Sequence, residues 1–248
     1  MHRFYVAFEQ WQPDALVLTG SEAHHCRDVL RLKSCDKVVL FDGRGREITA
    51  EITSGDASQI QLRKLHEAQT PPLRCRITLG QAIPKGKNMD LIVQKAVEIG
   101  AAEIAPILSD RTVVRLDEES AASKQLKWQT VAIEAAKQCG QNWLPKVQTP
   151  QRLSQFFQEH RRFDLQLIGS LQSDAVHLKK ILAEYSSEHG DRPASVLMLV
   201  GPEGDFTPAE LSLARSQGCR PITLGPIVLR VETASIYCLS ILSYELLV

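Results

Sequence analysis

The sequence predicts an α/β protein with a mostly parallel sheet, preceded by a small β-barrel. Three observations carry this. From residue 75 onward, short apolar runs alternate with amphipathic helical stripes, the pattern of βαβ units. Before residue 70 only short alternating runs occur, separated by Asp-Gly and Ser-Gly turns. Between them lies Gln69-Thr70-Pro71-Pro72-Leu73-Arg74, whose paired prolines in a polar setting mark a linker. The expected domains are therefore residues 1–70 and 75–248.

The barrel strands are expected at Arg3–Val6, Ala15–Thr19, Lys37–Phe41, Glu47–Ile52 and Gln59–Leu65. Turns at Asp42-Gly43-Arg44-Gly45 and Ser54-Gly55-Asp56 separate them. One helix over Ser21–Leu30 interrupts the strands, with Ser21 as its N-cap. In the second domain Cys75–Ala82 reads as a strand. Met89, Ile92, Val93, Ala96 and Val97 then form the stripe of a helix over Met89–Ile99, closed by Gly100. Glu103–Leu108 is the next strand. Trp128, Val131, Ala132, Ala135 and Ala136 repeat the helical stripe, closed by Gly140. Asp164–Ile168 and Ser195–Val200 are strands, and residues 183–193 read as a polar loop. Thr207 and Glu210 have capping-box spacing, with Pro208 at the first helical position. Pro221–Leu224 is the last strand and Thr233–Leu247 the last helix.

Composition narrows the class. The chain has 248 residues, of which 29 are basic and 29 acidic, so nucleic-acid binding must rest on local patches rather than overall charge. No run approaches the roughly 18 apolar residues of a membrane span. The N-terminus lacks a leader-like apolar core, which predicts a cytoplasmic protein. The six cysteines are scattered, with no metal-ligand spacing, so reduced thiols and no metal are expected.

Two loops leave the ends of expected strands: Val200-Gly201-Pro202-Glu203-Gly204-Asp205-Phe206 and Leu224–Ala234. Ligands of parallel sheets bind at such carboxyl ends. The first loop lacks the Lys-Ser/Thr of a phosphate loop and the glycine spacing of a dinucleotide fingerprint. Its glycines instead leave backbone groups bare for a nucleobase edge or an amino-acid moiety. An ordinary strand-to-helix turn is the other reading. In the second loop Arg230 and Glu232 form either a structural ion pair or part of a site, and Thr233 could cap the following helix. Arg27 and Arg31, one helical turn apart, together with Lys85, Lys87, Arg111 and Arg115, could contact phosphates or lie on a solvated surface.

Taken in order, the residues resemble the ribosomal RNA small-subunit methyltransferase E family of the SPOUT superfamily. The match runs through Arg3-Phe4-Tyr5, Val29–Lys33, Leu40-Phe41-Asp42-Gly43, Lys85-Gly86, Gln94–Gly100 and Ser109-Asp110-Arg111. It continues through Glu134–Gly140, Gly201-Pro202-Glu203-Gly204, Leu224-Gly225-Pro226, Leu229-Arg230 and Glu232-Thr233-Ala234. The resemblance implies a PUA-like barrel that grips RNA and a SPOUT domain with a trefoil knot. It implies a homodimer that uses S-adenosylmethionine to methylate N3 of a uridine in 16S rRNA, free or in the small ribosomal subunit. Arg230 and Glu232 become the expected catalytic pair. Leu199, Gly201, Glu203, Gly204, Leu224, Gly225, Leu229, Thr233 and Ala234 become the expected cofactor residues. Arg3, Arg27, Arg31, Lys85, Lys87, Arg111 and Arg115 become the expected RNA contacts. A sister enzyme acting on another RNA position and a catalytically silent RNA-binding homologue are the alternatives.

The chain departs from the family pattern at several places. Asp205 and Cys35 stand where glycine is usual. Ile227 and Gln141 stand where arginine is common, Val231 replaces a threonine, and residues 167–171 lack an acidic residue often found there.

Overall fold

The computed structural model describes residues 1–11, 16–55, 59–112, 116–159 and 162–247. Ala15, Asp56 and Arg115 lie outside the described residues. The chain divides into two compact units. One comprises Met1–Pro72 and Ile133–Leu144; the other comprises Leu73–Ala132 and Pro145–Val248.

The first unit holds β1 (His2–Tyr5), β2 (Val17–Thr19), β3 (Lys37–Phe41), β4 (Arg46–Gly55) and β5 (Gln59–Gln69). They form one curled sheet in the order β1-β3-β4-β5-β2. Only β1 and β3 run parallel among its pairings. Alternation explains the inner face: Ile48, Ala50 and Ile52 point inward from β4 and join Phe4, Leu18, Val38 and Leu40 in the core. The β3–β4 turn closes as its sequence demands. The Asp42 carboxylate accepts from the backbone N–H groups of Arg44 at 2.6 Å and Arg46 at 3.1 Å. Gly45 has a φ of 93°, and a Cβ there would sit 2.6 Å from the Thr70 carbonyl oxygen, so only glycine fits.

The expected helix over Ser21–Leu30 is different in kind. A short α1 (Gly20–His24) gives way to a π-helical turn over His25–Val29. Thr19, not Ser21, occupies the N-cap position, and no side chain caps it. Arg31 then takes a left-handed φ of 55°, so it leaves the helical path and does not share a face with Arg27. The wider π turn breaks the spacing on which that face depended.

The second unit is a parallel eight-stranded sheet with helices between its strands. In chain order it contains β6 (Arg76–Ala82), α2 (Asn88–Ile99), β7 (Glu103–Leu108), α3 (Glu118–Cys139), β8 (Lys146–Val147) and β9 (Gln151–Arg152). Then follow α4 (Leu153–Gln158), β10 (Leu165–Gly169), β11 (Val176–His177), α5 (Leu178–His189) and β12 (Ser195–Val200). The chain ends with α6 (Pro208–Ser216), β13 (Arg220–Thr223) and α7 (Val231–Leu246). The strand order is β11-β13-β10-β12-β6-β7-β8, with β9 also on β7. The end of α3, from Ile133, belongs to the first unit.

The α2 stripe Met89, Ile92, Val93, Ala96 and Val97 is buried as its period requires, and Gly100 closes the helix at φ 98°. Thr207 and Glu210 make both bonds of the capping box. The expected loop over 183–193 is a correction. Residues through His189 continue α5, because Leu178, Ile181 and Leu182 form a buried stripe and the polar remainder is its outer face. Gly190 ends the helix at φ 74°. The last helix starts at Val231 with Arg230 as N-cap, so Thr233 lies inside the first turn and caps nothing.

All six cysteines are free thiols. Burial pushes Cys219 and Cys238 up to about 12, so they are neutral core residues. Among the described residues no cluster of His, Cys, Asp or Glu could hold a metal, and no helix is long and apolar enough to cross a membrane.

Candidate functional site

In the sheet, β10 lies between β13 and β12. The loops after those two strands, singled out by sequence, are therefore not neighbours. The loop after β10 must form a third wall between them. A cavity of about 750 Å³ opens at these carboxyl ends. Gly169–Gln172, Val200–Glu203 with Asp205, and Thr223–Glu232 line it, with Lys85, Asn88 and Ala234.

The first loop is held by short-range geometry. The Asp205 N–H donates to the Pro202 carbonyl at 2.9 Å, closing a tight turn, and Asp205 sits at a left-handed φ of 62°. A Cβ on Gly201 would stand 3.2 Å from both the Asp205 carboxylate and the Phe206 nitrogen. The glycine thus lets the loop fold tightly back on itself at the cavity's edge. From the next loop, the Lys85 N–H donates to Glu203 at 2.9 Å. Buried Glu210 accepts from the Asp110 N–H at 2.9 Å and the Ser109 hydroxyl at 3.2 Å, besides its capping bonds. It ties the loop after β7 to the start of α6.

The other wall is anchored from below. The fully buried Ser235 hydroxyl bonds to Gln81 of β6, which is itself fully buried, and this fixes the first turn of α7. Glu232 accepts from the Asn88 amide at 3.1 Å. The Arg230 guanidinium is exposed and, among the described residues, has neither a hydrogen-bond nor an ion-pair partner. Of the two readings left open for Arg230 and Glu232, the structural ion pair is therefore not formed. Both residues line the cavity, where a cation and a carboxylate at a helix start can meet an incoming polar ring.

The structure sorts the sequence candidates. Arg230, Glu232, Gly201, Glu203, Leu224, Gly225, Leu229, Ala234 and Lys85 line the cavity. Leu199, Gly204 and Thr233 do not. Leu199 is fully buried in the core, the Gly204 carbonyl accepts from Arg111, and Thr233 is exposed away from the cavity. Lys87 is exposed at the start of α2. Arg3 is corrected. Its guanidinium donates to Glu47 at 2.7 Å and to Asn142, and its side chain is only 14% exposed. It holds the first unit together rather than facing a phosphate. Arg27 is half-buried and forks onto Asp28 at 2.9 and 2.6 Å. Sequence reasoning did not give Gly169–Gln172 or Asn88 as site residues, and it named Asp205 only as a loop residue that departs from the family pattern. Gly169 after an apolar strand was the available signal for the third wall.

Residues 71–243 match an RNA methyltransferase domain family, and residues 18–65 match an RNA methyltransferase PUA domain. The chain is 30% identical to ribosomal RNA small subunit methyltransferase E of Bacillus subtilis, over 99% of this chain and 97% of that protein. It is 31% identical to the protein of the same name from Synechocystis, over 94% of this chain and 74% of that protein. It superposes with a TM-score of 0.86 on the crystal structure of a ribosomal RNA small subunit methyltransferase E from Neisseria gonorrhoeae bound to S-adenosyl methionine. The two are 30% identical, and the superposition covers 99% of this chain and 98% of that one.

Proposed function

Because the chain belongs to the ribosomal RNA small subunit methyltransferase E family, we propose that it uses S-adenosylmethionine to methylate N3 of a uridine in 16S rRNA. One observation carries the reading at the level of chemistry. An unpartnered arginine and a carboxylate stand together in a cavity walled by glycine-led loops.

The residues present suit the cofactor. A volume of about 750 Å³ falls in the range of small-molecule sites. Gly201 and Gly225 leave backbone groups bare for an adenine edge, and no cluster of basic residues prepares the cavity for polyphosphate. When bound, S-adenosylmethionine supplies an electrophilic methyl group on a sulfonium. Gly201, Glu203, Leu224, Gly225, Leu229 and Ala234 would hold it. Uracil N3 must lose its proton as it gains the methyl, and the charge then spreads onto the flanking carbonyl oxygens. Arg230 stabilises that charge, and Glu232 orients Arg230 or takes the proton. Lys85, Lys87 and Arg111 grip the RNA near the cavity, with Arg27 and Arg31 on the barrel. The same reading carries the trefoil knot, a homodimer and a cytoplasmic location.

The test is direct. In 16S rRNA from cells lacking this chain, an N3-methyluridine stop to reverse transcription should vanish, and re-expression should restore it. A stop that persists would remove the proposal.

A further inference from the structure

The cavity has an uneven charge. Among its described lining residues, Lys85 and Arg230 face three carboxylates, Glu203, Asp205 and Glu232. Asp205 supplies the surplus. It is also the position where the family pattern has glycine, so with the usual residue the lining charges would balance.

The position is costly to fill. Asp205 holds a left-handed φ of 62°, which glycine takes freely and aspartate only at some cost. Its carboxylate partly compensates. Oδ1 accepts from the Phe206 N–H at 2.7 Å, while Oδ2 has only a long 3.5 Å contact with the Leu171 N–H. One carboxylate oxygen is thus engaged. The other retains lone-pair capacity between two walls of the cavity. A strained, half-buried anion in a ligand cavity is a functional candidate.

We infer that Asp205 is a specificity-determining residue that favours the positively charged sulfonium cofactor over its neutral thioether product, S-adenosylhomocysteine. The inference rests on the proposed function. The two molecules differ by one methyl and one unit of positive charge. An anion in a partly dehydrated cavity separates them by charge, whereas contacts with adenine, ribose and the amino-acid tail bind both alike. The consequence for turnover is that fresh S-adenosylmethionine competes better against retained product.

The experiment is calorimetric titration of the whole protein with S-adenosylmethionine and, separately, with S-adenosylhomocysteine. Asp205→Asn is nearly isosteric and keeps an acceptor for Phe206. It should weaken S-adenosylmethionine binding by about fivefold while moving S-adenosylhomocysteine less than twofold, the size of one partly screened charge. Added salt should narrow the preference of the unaltered chain and leave that of the variant unchanged. Equal weakening of both ligands would show that Asp205 only shapes the loop, and an unchanged ratio would show that its charge is not felt. Either overturns the inference while leaving the functional reading intact. Binding of neither molecule by the unaltered chain would overturn the functional reading itself. Asp205→Gly separates charge from backbone strain. It should reproduce the altered ratio, and an unaltered ratio in a folded Asp205→Gly protein would also count against the inference.

Discussion

Arg3 and Arg230 make opposite use of the same side chain. In the first unit Arg3 is almost covered, bonded to Glu47 and Asn142, and lies 5.0 Å from the centre of the Phe41 ring. In the second unit Arg230 stands exposed at the first turn of a helix with no partner among the described residues. Sequence context alone gave both as functional arginines. Their surroundings separate them. A paired and covered guanidinium supports the fold, whereas an unpaired one that lines a cavity has its donors unspent. Asn142 sharpens the lesson, because it also donates to Glu47 at 3.1 Å and Thr70 at 2.9 Å. Both terminal nitrogens of the Arg3 guanidinium are thus spent inside the cluster, and only its buried Nε lacks a partner among the described residues.

The strongest test of the contrast is Arg230→Ala. Methyl transfer to 16S rRNA should fall about 100-fold or more, as when one transition-state donor is removed, with thermal stability unchanged. A marked loss of stability would mean that Arg230 holds structure after all. Arg3→Ala should behave inversely. Urea unfolding should show a loss of about 2 kcal/mol, because Glu47 is left partly buried without its cation, and cofactor affinity should hold. Should the variant keep its stability and lose RNA binding instead, Arg3 is an RNA contact and not a support of the fold.

A smaller effect is expected at Cys35, whose φ of 73° is left-handed and whose place in the family pattern is a glycine. Cys35→Gly should raise stability by about 0.5 kcal/mol, since relief of strain exceeds the added freedom of the unfolded chain. Differential scanning calorimetry reads it. The smallest effect concerns pH. Burial works to raise the Glu47 carboxyl, but bonds from Arg3 and Asn142 prevail and hold it below the usual carboxylate range. A depressed folded value stabilises above the unfolded pKa and loses that contribution as pH falls through the folded one. The stability gap between the natural chain and Glu47→Gln should therefore be full near pH 7 and shrink below about pH 4. A gap independent of pH would place the stabilisation in packing rather than charge.

Much of the fold is written locally. The α2 stripe, the glycines that end α2 and α3, and the Thr207–Glu210 capping box each lie within a few residues, so their periods and spacings can be read directly. The exceptions have local causes too. The polar outer face of α5 hid a three-residue apolar stripe, and a π turn displaced Arg31. The site was half legible. Gly201, Gly225, Arg230 and Glu232 stood out as glycines and charges at strand ends; Gly169 bears the same mark at the end of β10 but no charged residue follows it closely, and Asn88 carries none.

By itself, then, the sequence determined the α/β class, two of the cavity's walls, the charged residues Arg230 and Glu232 that line it, and the family. Tertiary structure decided the third wall, because inserting β10 between β12 and β13 joins segments about 30 to 55 residues apart that no local period relates. It also decided which arginines are free. A guanidinium's role depends on the carboxylates brought to it across the chain, as Glu47 and Asn142 are brought to Arg3, and one-dimensional spacing does not record that distance.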